Sequence, residues 1–470
     1  MRRAHVRYRC YPSVVPAGKP IDVSIFPCDI SRVFRDDKEY ELAVVDIGGD
    51  QYDYHEPIPL DHPCTTKDGC LRFTHTFESE QEYSIRFAEK DGTEIKIPLY
   101  AVDADLYDRR PLKGELHTHT YYSDGKDGIA MTPSDYREEG FDFVSITDHN
   151  RMYPSKMAAQ LFADIPLGLH IMTGEEVHTP GSILHLVHAG GSESVTDRYV
   201  RHTEEYEREV DEIEATLSDV TEQYRRRTAM AVWACREIHK VGGIVIFAHP
   251  FWRPNRYNVT QEFANILFDK CDFDALEVAG CGTATATVNK QLALWQEQAI
   301  KGNKLSVVGS SDSHNHDFNG GSFARRFTMV FAQDNTTESI LQAVRDGYCV
   351  AAELSLNDDD EARFYGDLRL VLFAQFLFDN YFNETWRLCV GEGILMRRYA
   401  QGDESVVAPL VALCDTVKHF YEQFYGKSEA PIVTPARQAF LDECREVQRT
   451  VGPETKGSNL FFYGPNMRRE

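Results

Sequence analysis

Apolar and polar positions alternate with a period of two over much of the first hundred residues. The stretch 12–27 does so around Ala17-Gly18, and Tyr83-x-Ile85-x-Phe87 is matched by Ile95-x-Ile97-x-Leu99 across Asp91-Gly92. Alternation of this kind, joined by an Asp-Gly turn, predicts antiparallel strands with one buried face, hence a small β-sandwich. From about residue 110 the texture changes. Short, largely apolar runs at 141–146, 183–184, 244–247 and 305–308 predict strands buried on both faces, separated by helical stretches. One of these, 203–239, is a long, heavily charged helical stretch whose Glu/Arg pattern reads as a solvated helix face, with a lid as the alternative. Residues 337–347 close this part as a helix and a turn, and the acidic stretch 357–361 follows as a linker. Beyond it, 368–389, 405–425 and 435–451 carry helical periodicity with many aromatics, which predicts packing on the preceding part or on another subunit, while the tail from Gly452 carries a further aromatic cluster. The expected organisation is a β-sandwich over 1–108 (with 103–110 as connector), a strand-helix domain over 109–356 and a helical region over 357–470.

Chemistry-bearing residues gather immediately after the apolar runs: His117-x-His119, Asp124, Asp148-His149, Glu176, His185, His249 and Asp312-x-His314. Each is therefore expected at or beyond a strand's C-terminal end. In a barrel of alternating strands and helices those ends converge on one mouth, so residues spread over about two hundred positions can share one site. Imidazole and carboxylate suit Zn, Mn and Fe, whereas a closed structural zinc site would be expected to draw on thiolates. A carboxylate can bridge two ions, and a mixed shell leaves positions open for water and substrate. The pattern contains neither a Gly-x-Ser-x-Gly elbow nor a Gly-x-x-x-x-Gly-Lys-Ser/Thr phosphate loop. Neither a serine triad nor a nucleotide-binding loop is therefore expected.

Gly114-Glu115-Leu116-His117-Thr118-His119, Ser123-Asp124-Gly125, Ser145-Ile146-Thr147-Asp148-His149, Gly174-Glu175-Glu176, His185, Ala248-His249-Pro250 and Gly309-Ser310-Ser311-Asp312-Ser313-His314 resemble, in order, the motifs of the PHP (polymerase and histidinol phosphatase) metal-dependent phosphoesterases. The resemblance covers about 110–356. It implies a distorted (β/α)7-type barrel and two or three divalent ions (Zn, Mn or Fe). The first ion would be held by His117, His119, Glu176 and Asp312, the second by Glu176 as bridge with His185 and His249, and a third by Asp124, His149 and His314. The family often has His where this chain has Asp124. Asp148 would orient a neighbouring ligand. Glu176 rather than Glu175 is expected to face the ions, because the family pattern is Gly-x-Glu and adjacent strand residues point to opposite sides. Glu176, Asp312 and His249 are the candidate catalytic residues. His178 and His316 read as ordinary surface or packed histidines. Two ions a few ångströms apart would lower the pKa of a shared water from about 15.7 toward 7 and clamp phosphate oxygens.

Phosphate recognition calls for cations, and Arg151, Arg253 and Arg325 follow the motifs in loops expected at the mouth, with Arg256 and Arg326 close by. Trp252 could stack on a sugar or base, or plug the barrel end. A formal net charge of −24 over 470 residues argues against a duplex nucleic-acid surface, because such binding rests on Lys/Arg contacts to phosphates. A small phosphorylated molecule or the end of a short oligonucleotide is the expected substrate, with hydrolysis of a carboxylic ester, amide or carbamate, or a noncatalytic metal-bound module, as alternatives. No run reaches the roughly 18 apolar residues of a membrane span, and Arg2-Arg3 is not followed by an apolar signal region. The eleven cysteines include no Cys-x-x-Cys pair and read as reduced thiols. A cytoplasmic protein is expected, with the aromatic C-terminal helices as a surface for homo-oligomer assembly.

Overall fold

The computed structural model describes residues 7–35, 39–48, 60–88, 93–181, 184–252, 259–280, 285–316, 322–355 and 361–451. The expected turn at 91–92, most of the acidic linker and the tail from 452 lie outside them. The chain is a mixed α/β protein, with four sheets among the described residues. It divides into two compact units, Asp103–Tyr421 and a second formed by Arg3–Val102 with Glu422–Glu470.

The second unit contains two four-stranded sheets. One runs in the order Tyr8–Tyr11, Pro20–Pro27, Cys70–Thr76, Thr65–Lys67, and the other Val14–Pro16, Glu94–Val102, Gln81–Ala88, Leu42–Asp46. Gln81–Ala88 and Glu94–Val102 pair antiparallel with Ile85 opposite Ile97, the register that the alternating pattern demands. The inward sets from both sheets, among them Val23, Ile25, Leu71 and Phe73 with Ile85, Phe87, Ile97 and Leu99, make one core. The segment leading into helix Pro435–Val451 also belongs here. Val433 N–H donates to the Asp68 carbonyl at 3.1 Å, and Val433 and Leu441 pack with Val33. Period-two and period-3.6 patterns do not announce such a long-range attachment, so the sequence assigned these residues to a separate helical region.

The larger unit has a six-stranded sheet in the order His170–Met172, Phe143–Ile146, Arg110–Thr118, Arg326–Ala332, Cys349–Leu354, Ala362–Tyr365. Its five-stranded sheet runs Gly174–Val177, Leu186–Ala189, Ile244–Phe247, Ala275–Ala279, Ser306–Gly309. Strands Phe143–Ile146 and Ile244–Phe247 are buried throughout, as expected for strands covered on both faces. Gly309 lies where backbones crowd: a Cβ there would sit 2.5 Å from the Phe327 carbonyl oxygen and 3.0 Å from the Ala352 nitrogen. Two single bridges, Thr118 to Ser313 and His149 to Glu176, both parallel, join strand ends of the two sheets.

Two expectations need correction. The strand at His185 follows that residue instead of preceding it: Leu186–Ala189 pairs antiparallel with both Gly174–Val177 and Ile244–Phe247. A reversed strand brings its beginning to where its neighbours end, so His185 still arrives at the same edge. The charged stretch is two helices, Thr203–Thr216 and Glu222–Lys240, and Tyr206, Val210 and Ile213 are buried in the core, with Tyr206 4.7 Å from the Trp233 ring. The aromatic face of Leu368–Leu377, expected to pack on the preceding part or on another subunit, does the former, with Phe373 stacking on Phe331 at 5.5 Å. Helix Asn383–Ala400 is tied to helix Met131–Glu138 by a buried Arg137–Glu392 ion pair at 2.7 Å. That pairing holds the helices in the larger unit.

Candidate metal centre

Strand Arg110–Thr118 presents His117, and His119 two residues on falls on the same face. The loop bearing Asp312 zips onto this strand end: Asp312 N–H donates to the His117 carbonyl and His119 N–H to the Ser313 carbonyl, both at 2.9 Å. Glu176, inside Gly174–Val177, is the hub. Its Oε2 lies 3.4 Å from His117 Nε2, 3.4 Å from His119 Nε2 and 2.7 Å from His149 Nδ1. Its Oε1 lies 2.8 Å from His185 Nδ1, 3.5 Å from His249 Nε2 and 3.7 Å from His178 Nε2. Asp312 faces the same space, with Oδ1 3.3 Å from His117 Nε2 and 2.9 Å from His119 Nε2, and Oδ2 3.8 Å from His249 Nε2. The Glu176 side chain is 1% exposed.

A second, shallower group completes the cluster. Asp124 Oδ1 is 3.3 Å from His314 Nε2 and 3.9 Å from His119 Nδ1, and Oδ2 is 3.4 Å from His149 Nε2. Here the side chains of Asp124 and His314 are 55% and 38% exposed. Gly125 is required beside them, since a Cβ there would meet the His119 carbonyl oxygen at 2.6 Å. Every sequence-derived ligand candidate is thus brought into one cluster, and its donor atoms form several groups of three or four within 4.8 Å of one another.

The donor set fits divalent ions. Two ligand atoms sharing a tetrahedral ion at bonds of about 2.0–2.1 Å lie about 3.3 Å apart, the spacing that recurs here. His185 Nδ1 and Glu176 Oε1, although close, lack hydrogen-bond geometry, and these two atoms and His249 Nδ1 are buried without a hydrogen-bond partner. Burial alone would raise the Glu176 and Asp312 carboxyls and lower the imidazoles. The facing histidines overcome it and hold both acids below their ordinary range, and the facing acids lift His117, His149 and His249. His185 goes the other way: burial outweighs Glu176 and takes it down to about 4. Asn150, His249 and Asp312 have positive φ values of 54°, 24° and 48°, sparsely populated conformations that cluster at functional sites.

Supporting residues surround the ligands. Glu277 Oε2 lies 2.9 Å from His117 Nδ1, fixing the nitrogen that turns away from Glu176. Glu115 accepts the backbone N–H of His117 at 2.9 Å and of Ser311 at 3.0 Å. Asp148 accepts from Thr120 N–H, Thr120 Oγ1 and Ser123 Oγ at 2.6–2.8 Å, bracing the loop that carries Asp124. Glu175 points away from the cluster, accepting Ser194 Oγ at 2.7 Å and the Val195 N–H at 2.6 Å, with His188 Nδ1 at 3.3 Å. The sequence reading passed over Glu277, whose only signal was a lone acid inside an apolar strand, and it set aside His178.

Arg151 is exposed, Arg325 donates to the Ser355 carbonyl at 3.4 Å, and Arg253 lies outside the described residues. Arg326 is occupied by Glu353 at 2.8 Å. Trp252 stands beside the cluster, 5.8 Å from the His249 ring and 6.1 Å from that of His185. His316 is bound to Asp135 at 2.8 Å and stacks on Phe323 at 4.4 Å, a packed position.

No protein-family model matches the chain, and comparison with curated proteins gives no match. Solved structures do. A two-domain protein from Bacteroides vulgatus containing a predicted PHP-like metal-dependent phosphoesterase is 20% identical with a TM-score of 0.37, over 52% of this chain and 65% of that one. The lesion-specific endonuclease EndoQ from Pyrococcus furiosus is 16% identical with a TM-score of 0.34, over 52% and 60%. A putative metal-dependent phosphoesterase from Bifidobacterium adolescentis is 18% identical with a TM-score of 0.32, over 44% and 90%. Likenesses of this size do not assign an activity. In its ordered motifs the chain resembles the PHP metal-dependent phosphoesterases, and a solved structure containing a predicted PHP-like metal-dependent phosphoesterase is among those it matches.

Proposed function

We propose that the chain is a metal-dependent hydrolase that cleaves a phosphomonoester or phosphodiester of a small molecule or a short nucleotide. The observation that carries this is the division of the Glu176 carboxylate, Oε2 toward His117 and His119 and Oε1 toward His185 and His249. On this reading His117, His119 and Asp312 hold one ion, His185 and His249 the next, and Glu176 bridges them. Asp124, His149 and His314 offer a third position. When bound, divalent ions polarise phosphoryl oxygens and bring the pKa of water from about 15.7 toward 7. The chain's own residues do the rest. Glu277 and Glu115 hold His117 and its strand end in place. Trp252 walls one side against solvent, and the rim at Asp124 and His314 admits substrate.

The same reading takes the two larger sheets as halves of a distorted (β/α)7-type barrel, which the bridges Thr118 to Ser313 and His149 to Glu176 support, and the N-terminal sheets as a β-sandwich. Arg151, Arg253 and Arg325 remain the proposed phosphate contacts. The strong negative charge favours a small ligand or an oligonucleotide end over a duplex. No described helix is long and apolar enough to cross a membrane. A second reading, hydrolysis of a carboxylic ester, amide or carbamate, draws on the exposure of Arg151 and the engagement of Arg325 with Ser355. Metal-reconstituted protein assayed on a panel of phosphomonoesters, phosphodiesters, esters and amides separates the two. Turnover of phosphoesters with competitive inhibition by inorganic phosphate supports the first, and turnover of a neutral ester or carbamate without phosphate inhibition supports the second.

A further inference from the structure

His178 faces the cluster although no motif contains it. Its place is set by the main chain: the His178 N–H donates to Asn150 Oδ1 at 2.8 Å, and its carbonyl accepts the Tyr199 hydroxyl at 2.8 Å. The ring stacks on His185 with centroids 3.9 Å apart. That directs Nε2 to 3.1 Å from His149 Nδ1 and 3.7 Å from Glu176 Oε1, while His149 Nδ1 lies 2.7 Å from Glu176 Oε2. The three donors form one of the groups compact enough to share an ion. His149 Nδ1 carries at most one hydrogen, so it can donate to Glu176 or to His178 but not to both. A cation accepting lone pairs from all three satisfies them together.

We propose that His178 is a metal ligand, seating an ion with His149 Nδ1 and Glu176, and that this seat competes with the shallower one at Asp124 and His314. The competition follows from His149. Its Nε2 faces Asp124 at 3.4 Å and its Nδ1 faces His178, and a neutral imidazole has only one lone pair to give. Glu176, with about four lone-pair positions on its two oxygens, can serve the two deep positions and still face this one. The inner seat uses an acid that is 1% exposed, whereas the shallow seat must order an acid that is 55% exposed and hydrated. The proposal rests on the metallohydrolase reading above and names a ligand that reading omits.

The test uses the full chain, stripped of metal and reloaded with Mn²⁺ or Zn²⁺. Ions per chain are counted by elemental analysis after gel filtration, and each affinity is read by calorimetric titration. Parent, His178→Ala, His178→Gln and Asp124→Ala are compared, with circular dichroism as a check of folding. Both His178 variants should bind the weakest-held ion at least about tenfold less tightly and retain the others, while Asp124→Ala keeps that ion. Unchanged number and affinity in both His178 variants overturns the proposal, as does loss of an ion in Asp124→Ala that the His178 variants keep. A parent that takes up no ion at all overturns the metallohydrolase reading itself.

Discussion

The deep half of the cluster and its rim use the same side-chain chemistry under opposite conditions. His117, His119, Glu176, His249 and Asp312 are shut away from water, while Asp124 is exposed and His314 partly so. In the deep half His117 is braced by Glu277 behind its ring, and the loop carrying Asp312 by the Asp312 N–H on the His117 carbonyl. At the rim, Asp124 depends on a loop braced from beneath by Asp148. Preorganised, desolvated donors lose little freedom when they close on an ion, whereas exposed ones must give up water and rotamers. The depth of a ligand should therefore rank the consequence of losing it.

The largest effect is expected for Glu176→Ala, which removes the carboxylate shared by both deep positions. Both ions should be lost together and turnover should fall to background, with circular dichroism little changed. Glu175→Ala sharpens this comparison within one strand. It should keep both ions but lower thermal stability by about 1–3 kcal/mol, because the buried Val195 N–H and the Ser194 hydroxyl lose their acceptor. If Glu175→Ala strips the metal and Glu176→Ala does not, the assignment of facing is reversed.

Glu277→Gln comes next. It leaves every ligand in place and removes only the acid behind His117, so metal affinity should drop by about 10- to 100-fold, read by titration. Metal uptake should also depend on pH. His117, His149 and His249 are lifted by the facing acids, so the metal-free cluster holds protons at neutral pH that an ion must displace. Affinity should then rise with pH through neutrality and uptake should release protons, measurable as calorimetric heats that differ between buffers. His185, already down at about 4, contributes none of them. The smallest effect belongs to the rim: Asp124→Ala should leave both deep ions and much of the activity in place.

Much of the site was legible because His117, His149, His249 and Asp312 lie at or just beyond the ends of strands whose burial their apolar composition announces. His117-x-His119 needed only strand periodicity to be placed on one face. Glu175 and Glu176 were separable because adjacent strand residues face opposite sides and the resembled motif is Gly-x-Glu. What stayed hidden depends on contacts between distant segments. Glu277 reads as an oddity in the core strand Ala275–Ala279 until His117 is seen 160 positions away. His178 gains its place only through Asn150 and Tyr199. The strand at His185 was set on the wrong side of that residue because a two-residue apolar run does not reveal direction. The break between Thr203–Thr216 and Glu222–Lys240 has neither Gly nor Pro to mark it, and the attachment of Val433 beside Asp68 has no periodic signal.

The most direct test is the number of ions carried by the full chain purified without chelator, measured by elemental analysis. Two deep positions bridged by Glu176 predict at least two transition-metal ions per chain, falling toward none in Glu176→Ala. Less than one ion per chain, with no uptake on reconstitution, would contradict a metal centre at this cluster.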